Sequence, residues 1–229
     1  MSNFYGANVA TSGLIFHVDA ANTKSAPSAG TWYDISGYGS NMAIGGTPSL
    51  TTLAGAKCYQ FTANNQYFTG TLNAPQPTAN LTIECWVYPQ TIVVSGDMST
   101  LLLMSGGQSA YMSLDKGTNQ MANYWYSHPT TGYWETNSAV TLNSSWYYFA
   151  CVWNATAGVA YQWLNTNKTT ASPTVGNSAT GSGLTIGQEQ GSPTRQYSGG
   201  ISLIRVYNRA LTDAEILGNF NAQRKRFSV

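Results

Sequence analysis

The sequence predicts an all-β fold of two stacked antiparallel sheets, closed by one short C-terminal helix. Three observations carry that prediction. Apolar residues fall in short runs rich in aromatic and β-branched side chains, separated by clusters of Gly, Pro, Asn and Ser, which is how sandwiches and barrels are punctuated. Segments with helical periodicity are almost absent. One run, from Trp146 to Trp153, is apolar on both faces, so it needs cover on each side and marks a central strand.

Taken in order, strands are expected near residues 13–20, 56–63, 81–88, 99–105, 109–114, 119–126, 146–154, 158–165, 182–188 and 199–208. Ten or more strands in one chain call for two sheets. In the first, His17 alternates outward within Ile15–Asp19. In the third, Leu81, Ile83, Cys85 and Val87 share one face and are expected in the core, while Thr82, Glu84 and Trp86 share the other. The 146–154 and 158–165 runs flank a turn-rich Asn154–Gly158 linker and predict a hairpin, which places Trp153 and Trp163 in one neighbourhood. Loops are expected at 22–31, 64–80, 127–132 and 166–181, where Ser, Thr, Asn, Gly and Pro dominate. None resembles a domain linker, so residues 1–229 are read as one domain.

The helix is signalled by Thr212-Asp213-Ala214-Glu215, a capping box in which the Thr212 hydroxyl accepts from the Glu215 amide and the Glu215 carboxylate accepts from the Thr212 amide. Ile216, Leu217 and Phe220 follow at helical spacing. Gly218 inside the helix costs about 1 kcal/mol relative to Ala, so packing must help hold it.

Charged residues make 8% of the 229-residue chain, against about 25% in an ordinary soluble domain. Ser, Thr and Asn number 23, 27 and 19, which predicts a neutral, hydrogen-bonding surface suited to sugars or close protein neighbours. A net charge of +1 argues against nucleic acid as a partner. Cys58, Cys85 and Cys151 each lie in an apolar run without metal or disulfide spacing and are expected to be buried free thiols. No charged-then-apolar leader opens the sequence and no apolar run reaches about 18 residues, so synthesis in the cytoplasm and no membrane insertion are expected. The one charge run is Arg224-Lys225-Arg226, read either as a solvated terminus or as a patch that docks on an acidic neighbour.

Several segments together resemble the concanavalin A-like lectin and glucanase superfamily, in its laminin-G-like form common in phage proteins. Gly13–Ala20 is similar to the opening strand, Trp32-Tyr33-Asp34-Ile35-Ser36-Gly37-Tyr38-Gly39-Ser40-Asn41 to a Trp-x-Asp-Leu-Ser-Gly-Asn-Gly-Asn loop, and Leu81–Tyr88 to a further strand. Ile204–Ile216 with Asn219–Ala222 resembles the closing strand, capped helix and tail of phage-encoded members. The resemblance spans nearly the whole chain and implies a jelly-roll sandwich. Because such folds serve hydrolases, lectins and structural modules alike, function has to be argued from the site.

Glycoside hydrolysis needs two carboxylates at reacting distance, and the Glu-x-Asp-x-x-Glu strand of the related glucanases has no counterpart here. His17 and His128 accompany no nucleophile pattern, and no zinc spacing exists. An enzyme is therefore not expected. The resemblance raises calcium as the one cofactor candidate, with Asp34, Asn41 and Asp19 as ligands. The preferred reading is that Asp34 and Ser36 brace a tight Gly37–Gly39 turn, since Tyr38 and Ser40 stand where the family loop has Asn. The segment 123–134 interleaves aromatic rings with neutral hydrogen-bonding groups, as a sugar requires. Trp125, Tyr126, His128, Tyr133 and Trp134 are the candidate glycan-binding residues, against the alternatives that these rings fill the sandwich or serve a protein interface.

The leading expectation is a non-enzymatic phage virion protein, a capsid decoration or a tail or fibre component, assembled in many copies with other virion proteins. The alternative is a lectin-like module that recognises bacterial surface polysaccharide. A glycoside hydrolase of unfamiliar type ranks third.

Overall fold

The computed structural model describes residues 9–91, 98–105, 109–126, 132–171, 181–189 and 193–229. The first half of the chain forms β1 (Leu14–Asp19), β2 (Thr31–Trp32), β3 (Met42–Gly45), β4 (Ser49–Leu53), β5 (Ala56–Phe61), β6 (Tyr67–Thr71) and β7 (Asn80–Pro89). There follow β8 (Met98–Ser105), β9 (Ser109–Asp115), β10 (Gln120–Tyr126), β11 (Gly132–Ala139) and β12 (Tyr147–Asn154). The last strands are β13 (Val159–Leu164), β14 (Asn167–Ala171), β15 (Gly183–Ile186) and β16 (Gly199–Tyr207), and then come helix α1 (Asp213–Gln223) and a 3-10 turn over Arg224–Phe227.

These strands build two antiparallel eight-stranded sheets, the jelly-roll sandwich that was expected. Sheet A runs β14-β13-β12-β7-β16-β5-β4, and sheet B runs β11-β10-β9-β8-β15-β6-β3-β2. On its free side β16 pairs first with β5, at Gly199–Ile201, and then with β1, at Leu203–Tyr207. The first and last strands of the chain therefore close sheet A together.

All ten expected strands are present, and six more join them. Of these, β6 lies inside the expected 64–80 loop and β14 inside the expected 166–181 loop, so both loop assignments need correction. Asn64, Asn65, Pro75 and Pro77 bracket Tyr67–Thr71, and Asn167-Lys168-Thr169-Thr170-Ala171 is largely polar. Pairing with β15 and β13 holds both segments extended.

Alternation sorts the side chains into two clusters. Leu81, Ile83, Cys85 and Val87 of β7 and Phe149, Cys151 and Trp153 of β12 face sheet B in the main core, as expected for the β7 set. The opposite faces are not open to water. Trp86, Trp146, Tyr148, Ala150 and Val152 pack with Leu203, Tyr207, Ile216, Phe220 and Phe227 under the C-terminal helix. The β12–β13 hairpin forms, but Trp153 belongs to the first cluster and Trp163, opposite Ala150, to the second. A hairpin fixes neighbours along the strand, and an odd offset in the register then puts them on different faces.

A bulge at Ser202 makes this arrangement possible. It shifts the β16–β7 register between Ile201 and Leu203, so that Ile201, Ile204 and Val206 reach the inter-sheet core while Leu203, Arg205 and Tyr207 point to the helix. The capping box of α1 is formed: Glu215 N donates to Thr212 Oγ1 at 3.3 Å and Thr212 N to Glu215 Oε2 at 2.9 Å. The three cysteines are buried and free. Burial pushes the Cys58 thiol up to about 12 and the Cys85 and Cys151 thiols well above the ordinary range, so they behave as apolar groups.

Candidate functional site

One cross-strand row crosses the whole of sheet B. Tyr133, Tyr124 and Tyr111 occupy directly opposed positions on β11, β10 and β9. The row continues through Leu103 of β8, Thr185 of β15 and Thr69 of β6. Directly opposed residues share a face of the pleat, and this is the face turned away from sheet A, because the alternating positions Ala110, Met112 and Leu114 lie in the inter-sheet core. With strands about 4.8 Å apart, the three tyrosine positions span about 10 Å. Tyr111 is half-buried, and its hydroxyl donates to Glu189 Oε1 at 3.2 Å. Arg195 Nη1 holds the other carboxylate oxygen of Glu189 at 2.7 Å, both side chains being partly exposed. The result is a row of three tyrosine positions, with the described Tyr111 ring tied to a fixed polar pair and exposed threonines, Thr69 and Thr71, further along the sheet.

The register also sorts the aromatic candidates. Tyr126 and Tyr133 fall in the same set of positions as Tyr111. Trp125, opposite Ala110, and Trp134, opposite Asn123, fall in the set of Met112 and Met121, whose side chains lie in the inter-sheet core. His128 lies outside the described residues, as do the side chains of the other four. Sequence reading missed Tyr111, Glu189 and Arg195. The alternation Ala110-Tyr111-Met112-Ser113-Leu114 could have flagged Tyr111, whereas its contact with Glu189 spans 78 positions and leaves no local signal.

Each described carboxylate already has partners. Asp115 accepts from the Gly117 and Thr118 amides of its own turn, Asp213 pairs with Lys168 at 2.8 Å, and Glu215 with Arg209 at 2.6 Å. Those Arg209 bonds, with the Thr212 contacts adding to them, hold the Glu215 carboxyl down at about 2. Asp19 forms a bidentate pair with Arg226, 2.8 Å on each arm.

Asp34 and Asn41 do come together, as scaffolding. Asp34 Oδ1 accepts from the backbone amides of His17 and Ser36, each at 2.9 Å, and Oδ2 from Ser36 Oγ at 2.8 Å and Ser40 N at 3.0 Å. Asn41 Oδ1 accepts from Asp34 N at 3.0 Å. Gly37 and Gly39 supply the positive φ that this turn needs, 105° and 70°. Four hydrogens already point at the Asp34 carboxylate and one at the Asn41 oxygen, so the loop does not fit a calcium ion, which needs those lone pairs. Among the described residues no group of three or more His, Cys, Asp or Glu is placed to hold a metal.

On the far side of the sandwich, α1 covers a buried charge network. Glu84 and Arg205, both 0% exposed, pair at 2.6 Å. Tyr148 Oη donates to Glu84 Oε2 at 2.6 Å, and Asn219 Nδ2 donates to the same oxygen at 2.9 Å. Burial, reinforced by Glu84, pushes the Tyr148 phenol well above its ordinary value. His17, expected to alternate outward on its strand, is only 2% exposed. It does leave the inter-sheet core, but Arg205 Nε meets its Nε2 at 3.3 Å beneath the C-terminal segment. Burial first, then the charges of Arg205 and Arg226, hold its pKa well below 6.5.

The tail residues divide. Arg224 and Lys225 are exposed, while Arg226 is tied to Asp19 and Ser202. Phe227 beside it stacks on Trp86 at 4.1 Å between ring centres.

This sandwich has relatives. A model of the concanavalin A-like lectin/glucanases superfamily, in its laminin-G form, matches residues 61–217. The chain belongs to that superfamily. No curated protein matches the sequence. Among solved structures of the same fold, the receptor binding domain of botulinum neurotoxin D is similar with a TM-score of 0.71 at 12% identity, over 93% of this chain and 53% of that one. The serotype D ligand binding domain in complex with N-acetylneuraminic acid gives 0.68 at 12% identity, over 93% and 52%. A native heptameric SAP-like pentraxin from Limulus polyphemus gives 0.54 at 16% identity, over 69% and 78%. The chain thus spans about half the length of the toxin binding domains it matches, and at these identities the likeness is one of fold.

Proposed function

We propose that this chain is a non-enzymatic recognition domain that binds an uncharged glycan of the bacterial surface, and that it serves on a phage particle as a tail or fibre component or as a capsid decoration. The observation that carries the binding reading is the Tyr133–Tyr124–Tyr111 row with the Glu189–Arg195 pair at its flank. A pyranose presents a C–H face to an aromatic ring and hydroxyls to its neighbours, which is the chemistry that such a row and its flanking polar groups offer. A binding role is supported by the company of the fold: the similar toxin domains are receptor-binding or ligand-binding by their own description, one of them with N-acetylneuraminic acid. A non-enzymatic role is supported by the engagement of every described carboxylate, where hydrolysis asks for two that can act on one bond.

The virion setting rests on the resemblance of residues 204–222 to phage-encoded members. Its partners in that setting are other virion proteins, with the exposed Arg224 and Lys225 as the docking charges.

A glycan array tests the binding reading. Tyr111→Ala and Tyr133→Ala should abolish a signal that the parent gives while leaving the melting temperature nearly unchanged. Loss of binding only in Trp125→Ala or Trp134→Ala would move the site to the other set of positions, and silence of the parent across broad arrays would reject a glycan ligand. Incubation with host polysaccharide should release no new reducing ends. Antibody labelling of purified particles tests the virion setting.

A further inference from the structure

At one end of sheet A, where β5 and β7 finish and β16 begins, the surface carries an open cleft of about 240 Å³. Its polar lining is Gln60, Thr62, Gln90, Thr91, Asn143 and Ser198, without a charged side chain. Three bonds of 2.8 Å organise it, and Thr91 N also donates to Asn143 Oδ1 at 3.3 Å. Gln60 Nε2 donates to Gln90 Oε1 at 2.8 Å, tying the end of β5 to the end of β7. Asn143 Nδ2 donates to Thr91 Oγ1 at 2.8 Å, and its own backbone amide donates to Pro89 O at 2.8 Å. Asn143 adopts a left-handed φ of 58°, which suits Asn at that turn.

A primary amide carries two N–H donors and a carbonyl with two lone pairs. The single Gln60–Gln90 bond therefore leaves both donor and acceptor capacity at the cleft. That remains true whichever way round the two amide groups are assigned, because exchanging O and N in both restores the same count. An ion entering here meets no countercharge. A sugar ring does better, since each hydroxyl both donates and accepts, and the volume suits one ring rather than a chain.

We propose that this cleft is a second saccharide subsite, separate from the tyrosine row on sheet B, that grips one uncharged sugar ring through the side-chain amides of Gln60, Gln90 and Asn143. The proposal rests on the reading of the chain as a glycan-binding domain.

The test is a titration of ¹⁵N-labelled full-length protein with glucose, galactose, mannose and N-acetylglucosamine, each to tens of millimolar, followed by NMR. The Gln60, Gln90 and Asn143 side-chain amides should shift with at least one of them. In the double variant Gln60→Leu with Gln90→Leu, affinity should fall at least about tenfold, as one or two lost hydrogen bonds require. Replacing both partners by apolar groups of similar shape leaves no buried group stranded, so the fold should persist. Asn143→Gly, which keeps the left-handed backbone, is a second variant and should weaken binding in the same direction. Cleft amides that stay still while the Tyr111 amide responds would overturn this subsite and leave the glycan-binding reading standing. No response at either place, with silent arrays, would end both. Shifts that survive the double variant unchanged would also overturn it.

Discussion

Glu84 shows what a single residue asks of this fold. Its carboxylate is fully buried and stays satisfied only because Arg205, Tyr148 and Asn219 reach it from three separate parts of the chain. Breaking such a pair strands a charge: Glu84→Gln should lower stability by about 3–5 kcal/mol in urea unfolding, and adding Arg205→Met should recover much of that loss. His17 makes the pH dependence testable. Its folded pKa lies well below the unfolded value of about 6.5, so the unfolded chain takes up the proton first as acid is added. Its contribution is complete above that value and is lost progressively as pH falls below it. Melts at pH 7.5 and pH 5 should therefore differ more for the parent than for His17→Gln. An equal difference in the two proteins would reject the assignment. At this scale the sequence was only half readable: His17 and Glu84 were correctly placed on the faces that leave the inter-sheet core, but Glu84 meets Arg205 across 121 positions, and nothing local shows that a helix will cover both.

Among the elements, the terminal turn behaves as a clamp. Trp86 lies between Phe220, at 5.6 Å and 15°, and Phe227, at 4.1 Å and 10°. Phe227→Ala should lose about 3–5 kcal/mol, the usual range for an aromatic removed from a packed site. Deleting residues 223–229 would remove the same ring, so that truncation reports on folding before it reports on docking. Arg224→Glu with Lys225→Glu is the cleaner probe: it should leave the melting temperature unchanged and, if those charges dock, weaken incorporation into particles in a salt-dependent way. The clearest strands in the sequence were the alternating Leu81–Val87 run of β7 and the Trp146–Trp153 run of β12, which is apolar on both faces. The missed ones are short or lie towards sheet edges, as β2, β4 and β14 do, or are bracketed by Asn and Pro, as β6 is. Such strands are held by their neighbours rather than by their own composition.

For the molecule as a whole, the decisive quantity was the register between strands, which no single run displays. Composition drew attention to Trp125 and Trp134, yet pairing across β9, β10 and β11 assigns them to the positions of Met112 and Met121 and gives the outward row to tyrosines. Tyr133→Ala should accordingly reduce glycan binding more than Trp125→Ala does. The Asp34 loop gives a further whole-molecule test: with its carboxylate saturated by amide and hydroxyl donors, excess chelator should not move the melting midpoint. Finally, Ala10 and Val229 both pack against the cluster beneath α1, and Ala10 N is fastened to Asn219 Oδ1 at 2.7 Å. The strands and helix nearest both tails of the polypeptide therefore share the side of the sandwich remote from the tyrosines. A label fixed at Val229 would thus start from the side of the sandwich remote from Tyr111.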